Sequence, residues 1–273
     1  MLNDAEVALI AREVRARSGA VLTREMGAAI AMRLTPLARR EGFGTVHELA
    51  AAARIRADGR LWNAIAEHLA HSDTRFFRDR ALFQKLRAEV LPAALTRRGH
   101  ERIRIWSAAC STGQEAYSVG MLIEELREQG LNPACEIVAT DFSERLVEKG
   151  RAGLYTQFEV QRGLPIRKLI AHFEKAGDLW RICDRLRAAV TFNVHNLLNH
   201  PGALGQFDLI LLSHVLGGFD AETRRAVMLR TADALAPGGA ILLGEGETLP
   251  DDCDGLSFDN GLVKRTSATQ AAA

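Results

Sequence analysis

The chain lacks the glycines of a dinucleotide fingerprint. The turn after Ile103–Ser107 holds only Gly113, so no G-x-G-x-x-G opens the following helix, and a pyrophosphate cofactor such as NAD or FAD is disfavoured. Paired cysteines are also missing. Cys110, Cys135, Cys183 and Cys253 show no C-x-x-C spacing, which leaves each as a small apolar filler or a free thiol in a reducing compartment and provides no metal set. No G-x-S-x-G occurs, and His195, His200 and His214 have no nucleophile-elbow partner, which argues against a Ser-His-Asp hydrolase. Apolar runs stop short of the roughly 18 residues of a membrane span. The first residues, MLNDAEVALIAREVRARSG, carry acids within their apolar stretch and no cleavage site, so a signal peptide is not expected. Finally, 35 basic against 34 acidic residues leave a formal net charge of +1, too small for a global pull toward nucleic acid or anionic lipid. The expectation is a cytoplasmic protein with no nucleic-acid partner and no membrane insertion.

What the chain does contain is a strand, a small-residue turn and a helix start over Ile103–Met121, IRIWSAACSTGQEAYSVGM, and then EIVATD, ending at Asp141. A β-branched run entering a Ser/Thr/Gly turn leaves free N–H groups at the helix start, where an anionic ligand group can dock. An acid closing the next strand can accept bonds from a ribose. With the dinucleotide fingerprint missing, the pair points to a nucleoside cofactor without a pyrophosphate, such as S-adenosylmethionine.

With 273 residues, 47% apolar and 25% charged, the chain has room for one large domain and a small one. From Asp4 to about Leu95 the pattern is helical throughout, Ala- and Arg-rich, and reads as a small all-α domain over residues 1–90. After Arg97-Arg98-Gly99, strands are expected at Ile103–Ser107, Ile137–Thr140, Val190–Val194, Asp208–Ser213 and Ala240–Leu243, with helices between them. That alternation over residues 91–265 describes an α/β, doubly wound, Rossmann-like sheet. Residues 154–188 are too long for one helix crossover and suggest an insert; residues 266–273 read as a disordered tail. Ligands on such sheets bind outside the carboxyl ends of the strands, which selects Ala108–Gln114 (with Ala109 and Gly113), Asp141, Asn196 and Ser213-His214. In the helical domain, seven arginines stand against two glutamates between Arg12 and Arg40. Arg33, Arg39 and Arg40 are either a solvated face with cations near a helix C-terminus or a docking surface for an acidic partner.

Taken in order and spacing, HSDTRFFRD (71–79), IRIWSAACSTGQEAYS (103–118), IVATDFS (137–143), RAGLY (151–155), VTFNVHNLL (190–198) and FDLILLSHVLGGFD (207–220) resemble the CheR-type chemoreceptor glutamate methyltransferases. The resemblance covers nearly the whole chain. It implies a class I S-adenosylmethionine-dependent methyltransferase fold with a small N-terminal helical domain and a small inserted β subdomain. The implied reaction is methyl transfer to glutamate side chains on cytoplasmic receptor helices, forming γ-methyl esters and S-adenosylhomocysteine. By the same resemblance, Ser72, Thr74 and Arg78 fall in the segment that holds the methionyl carboxylate and Glu115 engages the α-amino group. Asp141 takes the ribose hydroxyls, and Asn196 and Leu197 meet the adenine. The residue types agree with these roles: a guanidinium forks onto a carboxylate, and a carboxylate takes an ammonium. Read alone, Thr74 is equally a helix N-cap for a segment beginning at Arg75, and Arg78 a surface cation.

The chain departs from the family pattern at Ser72, Gln114, Ser213, His214, Gly217 and Gly218. The last of these stands where the family carries a tyrosine near the transferred methyl. Only two tyrosines are present, so Tyr117, at the mouth of the turn, and His214 are the candidate substrate-side groups. The lost aromatic also motivates an alternative, a cofactor-binding sensor or adaptor with impaired transfer. No catalytic acid or base is expected, because glutamate is already ionised at neutral pH and transfer needs alignment. The resemblance also implies that members tethering to a receptor C-terminal pentapeptide carry a longer, glycine-rich loop where Phe173–Phe192 is short with a single glycine, so no such tether is expected. Receptor choice then falls to Arg33, Arg39 and Arg40.

Overall fold

The computed structural model describes residues 2–56, 58–70, 73–131 and 133–266. Ser72 and residues 267–273 lie outside them. The chain divides into a helical unit, residues 1–71 with 217–224, and an α/β unit, residues 72–216 with 225–273.

The helical unit is built from α1 (Asp4–Ser18), α2 (Gly27–Arg40), α3 (Val46–Ile55) and α4 (Gly59–Leu69). A reciprocal cap starts α1: Glu6 N–H donates to Asn3 Oδ1 at 3.0 Å and Asn3 N–H to Glu6 at 2.8 Å. That satisfies two of the four orphan donors of a helix start. Gly19, at φ 74, ends it. Ile10, Val14, Ile30, Leu34, Leu37, Leu49, Leu61 and Ile65 are almost fully buried, the i, i+3, i+4, i+7 stripes expected of helices sharing one core.

Most of its arginines are committed within this unit. Arg12 and Arg17 pair with Glu13, Arg24 with Asp4, Arg15 with Asp220 and Arg40 with Glu41. Arg33 donates to the carbonyls of Leu69 and Ala70 at 2.9 and 2.8 Å, closing the end of α4, and burial lowers its pKa. This corrects the grouping of Arg33 with Arg39 and Arg40: the first is a half-buried helix closure, and the other two are exposed.

In the α/β unit, α5 (Arg80–Lys85), a π-helical turn (Leu86–Val90) and α6 (Leu91–Arg98) precede β1 (Ile103–Ala108), α7 (Gln114–Glu128), β2 (Cys135–Asp141) and α8 (Glu144–Ala152). An insert follows, with β3 (Leu154–Thr156), α9 (Gln157–Gln161), α10 (Ile166–His172), β4 (Phe173–Ala176), β5 (Leu179–Ile182) and α11 (Asp184–Ala189). The chain then returns through β6 (Val190–Val194), β7 (Phe207–Leu212), α12 (Ala221–Asp233), β8 (Leu235–Leu243), β9 (Leu256–Asp259) and β10 (Leu262–Arg265). The insert strands form their own antiparallel sheet in the order β3-β5-β4, and the main sheet runs β6-β2-β1-β7-β8-β10-β9. β1, β2, β6, β7 and β8 are parallel, while β9 and β10 are antiparallel. Every residue of β7 is buried, as a central parallel strand covered on both faces requires.

Two expectations change here. The helical pattern is interrupted at residues 73–79, and the unit boundary falls at 71/72 instead of 90/91. The cause is packing: Phe76, Leu82, Phe83, Leu86, Val90 and Leu91 share a core with Ile103 and Ile105 of β1. Gly163 makes room for that segment, because a Cβ there would lie 2.1 Å from the Phe76 carbonyl. β9 and β10 were not expected from the sequence. Among the described residues, no helix is long and apolar enough to cross a membrane.

Candidate functional site

The chain runs outward from β1 through β2 to β6 and then returns to β7 on the other side of β1. The carboxyl ends of β1 and β7 therefore flank the topological switch point, where open α/β sheets bind ligands. The turn between β1 and α7 is sharply folded, with Ala109, Ser111 and Gly113 at φ 59, 51 and 90. A non-glycine residue in that region costs on the order of 1 kcal/mol and persists only where its surroundings over-determine it. They do so here. Cys110 N–H donates to Thr140 O at 2.8 Å, Ser111 N–H to Asp141 Oδ2 at 2.9 Å, and Tyr155 Oη to Thr112 O at 2.8 Å. Gly113 is required twice over, by its φ and because a Cβ would sit 2.8 Å from the Phe192 ring.

Asp141 is buried, and its other oxygen accepts Ser143 N–H at 3.0 Å. The end of β6 is tied to it, His195 N–H donating to Asp141 O at 2.9 Å. Asn196 Oδ1 accepts Leu198 N–H at 3.0 Å and Leu197 is buried. The β1 turn, the acid ending β2 and the Asn196-Leu197 pair thus form one connected rim.

Glu115, in the first turn of α7, reaches across the switch point. It accepts a hydrogen bond from Ser107 Oγ at 2.7 Å on β1 and another from Ser213 Oγ after β7. Burial raises its pKa; the Ser213 and Ser107 hydrogen bonds pull it back, the Glu247 charge pushes it up and the Arg78 charge lowers it. No ion pair to it is formed among the described residues. Desolvating a carboxylate without a cation is costly, so the site is suited to receive one.

Arg78 is brought in by the 73–79 segment, where its guanidinium donates to the Asp73 carbonyl. Phe77 N–H donates to Ser118 Oγ at 3.1 Å, fastening that segment to α7. Thr74 is half-buried and is not a helix cap: α5 begins at Arg80, capped by Asp79, whose Oδ1 accepts Leu82 N–H at 2.9 Å. His214 N–H donates to Glu247 Oε2 at 2.7 Å. Asp79 Oδ2 accepts Glu245 N–H at 2.5 Å and lies 3.7 Å from His214 Nε2.

Tyr117 is a correction. It is fully buried, its hydroxyl donates to Gly150 O at 2.8 Å, and burial raises its pKa. It belongs to the core between α7 and α8, leaving His214 as the candidate substrate-side group. Gly217 and Gly218 face open space, since an added Cβ at either meets nothing within 4 Å. Asp79 and Glu247 are site residues the sequence reading missed. Asp79 lies inside the quoted HSDTRFFRD motif, whereas nothing around GEGE at 244–247 marks Glu247.

The residues present fit S-adenosylmethionine: an enclosed carboxylate without a cation for the ammonium, a guanidinium nearby for the carboxylate, an acid at the β2 end for the ribose and a buried leucine beyond it. Residues 72–261 match the family model described as CheR methyltransferase, SAM binding domain. Chemotaxis protein methyltransferase 1 of Pseudomonas aeruginosa is 34% identical over 243 residues, 86% of this chain and 88% of its own. The chemotaxis protein methyltransferase of Vibrio parahaemolyticus is 33% identical over 251 residues, covering 91% and 90%. A solved glycopeptide N-methyltransferase, MtfA with sinefungin, aligns at 17% identity and a TM-score of 0.33, spanning 57% of this chain and 48% of its own.

Proposed function

We propose a receptor-directed reaction for this chain, which belongs to the CheR methyltransferase family: transfer of the methyl of S-adenosylmethionine to glutamate side chains of chemoreceptors, in the cytoplasm. The observation that carries the reading is Glu115, a carboxylate enclosed at the switch point, braced by two serine hydroxyls and paired with no cation among the described residues. S-adenosylmethionine, when bound, supplies a sulfonium methyl that an ionised carboxylate attacks directly.

What remains for the protein is to bind, orient and exclude water. Glu115 holds the ammonium, Arg78 and Thr74 the methionyl carboxylate, Asp141 the ribose diol, and Asn196 with Leu197 the adenine; the turn at Ala109 and Gly113 closes against the nucleoside. Orientation alone is worth on the order of 7–11 kcal/mol in well-aligned reactions, and no proton transfer is required of any side chain. The acceptor is taken to be the cytoplasmic helices of a chemoreceptor, met through exposed arginines of the helical unit and without a pentapeptide tether.

Incubation with S-adenosylmethionine labelled in the methyl group and receptor cytoplasmic fragments tests this. Base-labile label should appear on the fragment and, at sub-saturating cofactor, fall sharply with Glu115→Gln. Tight S-adenosylhomocysteine binding with no label on any receptor fragment would reject the receptor assignment.

A further inference from the structure

Arg78 has an internal carboxylate beside it before any ligand arrives. Its Nη1 donates to the Asp73 carbonyl, and its Nη2 lies 3.8 Å from Asp73 Oδ2, too far for a hydrogen bond. The Asp73 carboxylate is engaged by a different cation: Oδ1 accepts Arg162 Nη2–H at 2.9 Å. Arg162 belongs to the insert, directly after α9, and its guanidinium rests over the Phe158 ring, 5.4 Å from the centroid. That ring narrows the range of a long side chain, so Arg162 is set where it can hold Asp73.

Packing fixes the meeting of these three side chains. Phe76 is fully buried against Tyr155 and Phe173 of the insert, with ring centroids 5.1 and 5.5 Å apart. Gly163, next to Arg162, approaches the Phe76 carbonyl too closely to carry a Cβ. Phe77 is fastened to Ser118 of α7, so the segment from Asp73 to Arg78 is held between the insert and the cofactor turn. Burial pushes the Asp73 pKa up, but Arg162, Arg78 and Arg75 together bring it below the usual carboxylate value. Asp73 is therefore an anion at neutral pH, and its side chain is 50% exposed, which leaves it room to turn. A carboxylate this close to a guanidinium rivals any other carboxylate that the guanidinium is to bind.

We infer that Asp73 is an internal competitor for Arg78 and that Arg162 is a positioning residue, holding Asp73 aside so that Arg78 stays open to the methionyl carboxylate of the cofactor. The inference rests on the proposed role of Arg78. Without Arg162, Asp73 closes the gap to Arg78 and the incoming carboxylate must displace it. The effect is selective by its chemistry: a ligand that carries a carboxylate at this end responds, and a ligand that lacks one does not. The insert thereby sets the affinity of the methionyl end from outside the strand-end rim.

Binding titrations of the full-length protein with S-adenosylhomocysteine test this, beside 5′-methylthioadenosine, which lacks the amino-acid end. Arg162→Ala should weaken S-adenosylhomocysteine about two- to fivefold, the size expected of a partly exposed ion pair, and leave 5′-methylthioadenosine unchanged. Asp73→Asn removes the competing charge, keeps the main-chain carbonyl that Arg78 uses, and should bind S-adenosylhomocysteine at least as tightly as the parent. Added to Arg162→Ala, it should restore parental affinity. A pair that only stitches the insert to the segment behaves otherwise: either single variant would lower the melting temperature and weaken both ligands, and the double variant would recover nothing. Unchanged S-adenosylhomocysteine affinity in Arg162→Ala, or a double variant no tighter than Arg162→Ala alone, overturns the inference. Arg78→Ala examines the reading beneath it and should cost S-adenosylhomocysteine about tenfold or more with 5′-methylthioadenosine unaffected. If that variant binds S-adenosylhomocysteine like the parent, the methionyl carboxylate is held elsewhere, and the Arg78 assignment fails together with the inference built on it.

Discussion

Glu115 makes cofactor binding proton-linked. In the free protein burial raises its pKa above that of an ordinary carboxylate. A bound ammonium favours the ionised form and draws the value down. The sign follows: binding releases a proton at pH values near the raised pKa, and affinity falls as pH drops through that range, at higher pH than an ordinary carboxylate would show. Calorimetry of S-adenosylhomocysteine binding in two buffers of different ionisation enthalpy should detect that released proton on the acidic side and see it fade as pH rises. Glu115→Gln removes the charge-assisted contact, worth about 1.5–3 kcal/mol, so affinity should drop roughly 10- to 100-fold and the proton release should vanish. A Gln variant with parental affinity would show that the ammonium is held elsewhere.

At the scale of elements, the β1 turn depends on what packs behind it. Gly113→Ala places a Cβ in a left-handed conformation and 2.8 Å from Phe192, combining backbone strain with overpacking, together about 2–4 kcal/mol. Thermal unfolding should register that loss. Adding Phe192→Leu should recover the steric part and leave the backbone part, a non-additive pair. This turn was legible in the sequence because its chemistry is local, as were the five parallel strands, which are apolar enough to be read without their partners. β9 and β10 were not, since Ser257, Asp259, Lys264 and Arg265 give them little apolar signal. They exist because Leu262 and Val263 pair with Leu242 and Ile241 of β8. The unit boundary was hidden for a similar reason: no glycine or proline marks residues 73–79, and only the packing of Phe76 and Leu82 beneath β1 reveals their allegiance. Tyr117 was misread because it stands near the turn in sequence, whereas three residues along α7 from Gln114 it faces the core. Asp79 and Glu247 escaped as a pair because their meeting at His214 joins segments more than a hundred residues apart.

For the molecule as a whole, a net charge of +1 conceals an uneven supply of free cations. Arg12, Arg15, Arg17, Arg24 and Arg40 each have an acidic neighbour within the helical unit, Arg33 closes α4, and Arg39 has no ion pair among the described residues. Surface pairs contribute little to stability, so exposed arginines can exchange an internal partner for an external one at small cost. Arg33 cannot, because its departure leaves two carbonyls at the end of α4 without their donor. Charge reversal therefore separates docking from architecture. Arg39→Glu with Arg40→Glu should slow methylation of a receptor fragment several-fold at low salt, with the difference from the parent shrinking as ionic strength rises toward 0.5 M, where charges more than about 4–5 Å apart are screened. The same variant should keep its melting temperature and its S-adenosylhomocysteine affinity. Arg33→Glu should do the reverse, losing about 1–3 kcal/mol of stability before any salt-dependent effect on methylation appears. If methylation by the double reversal matches the parent across the salt series, Arg39 and Arg40 are a solvated face, and the receptor is met by another surface.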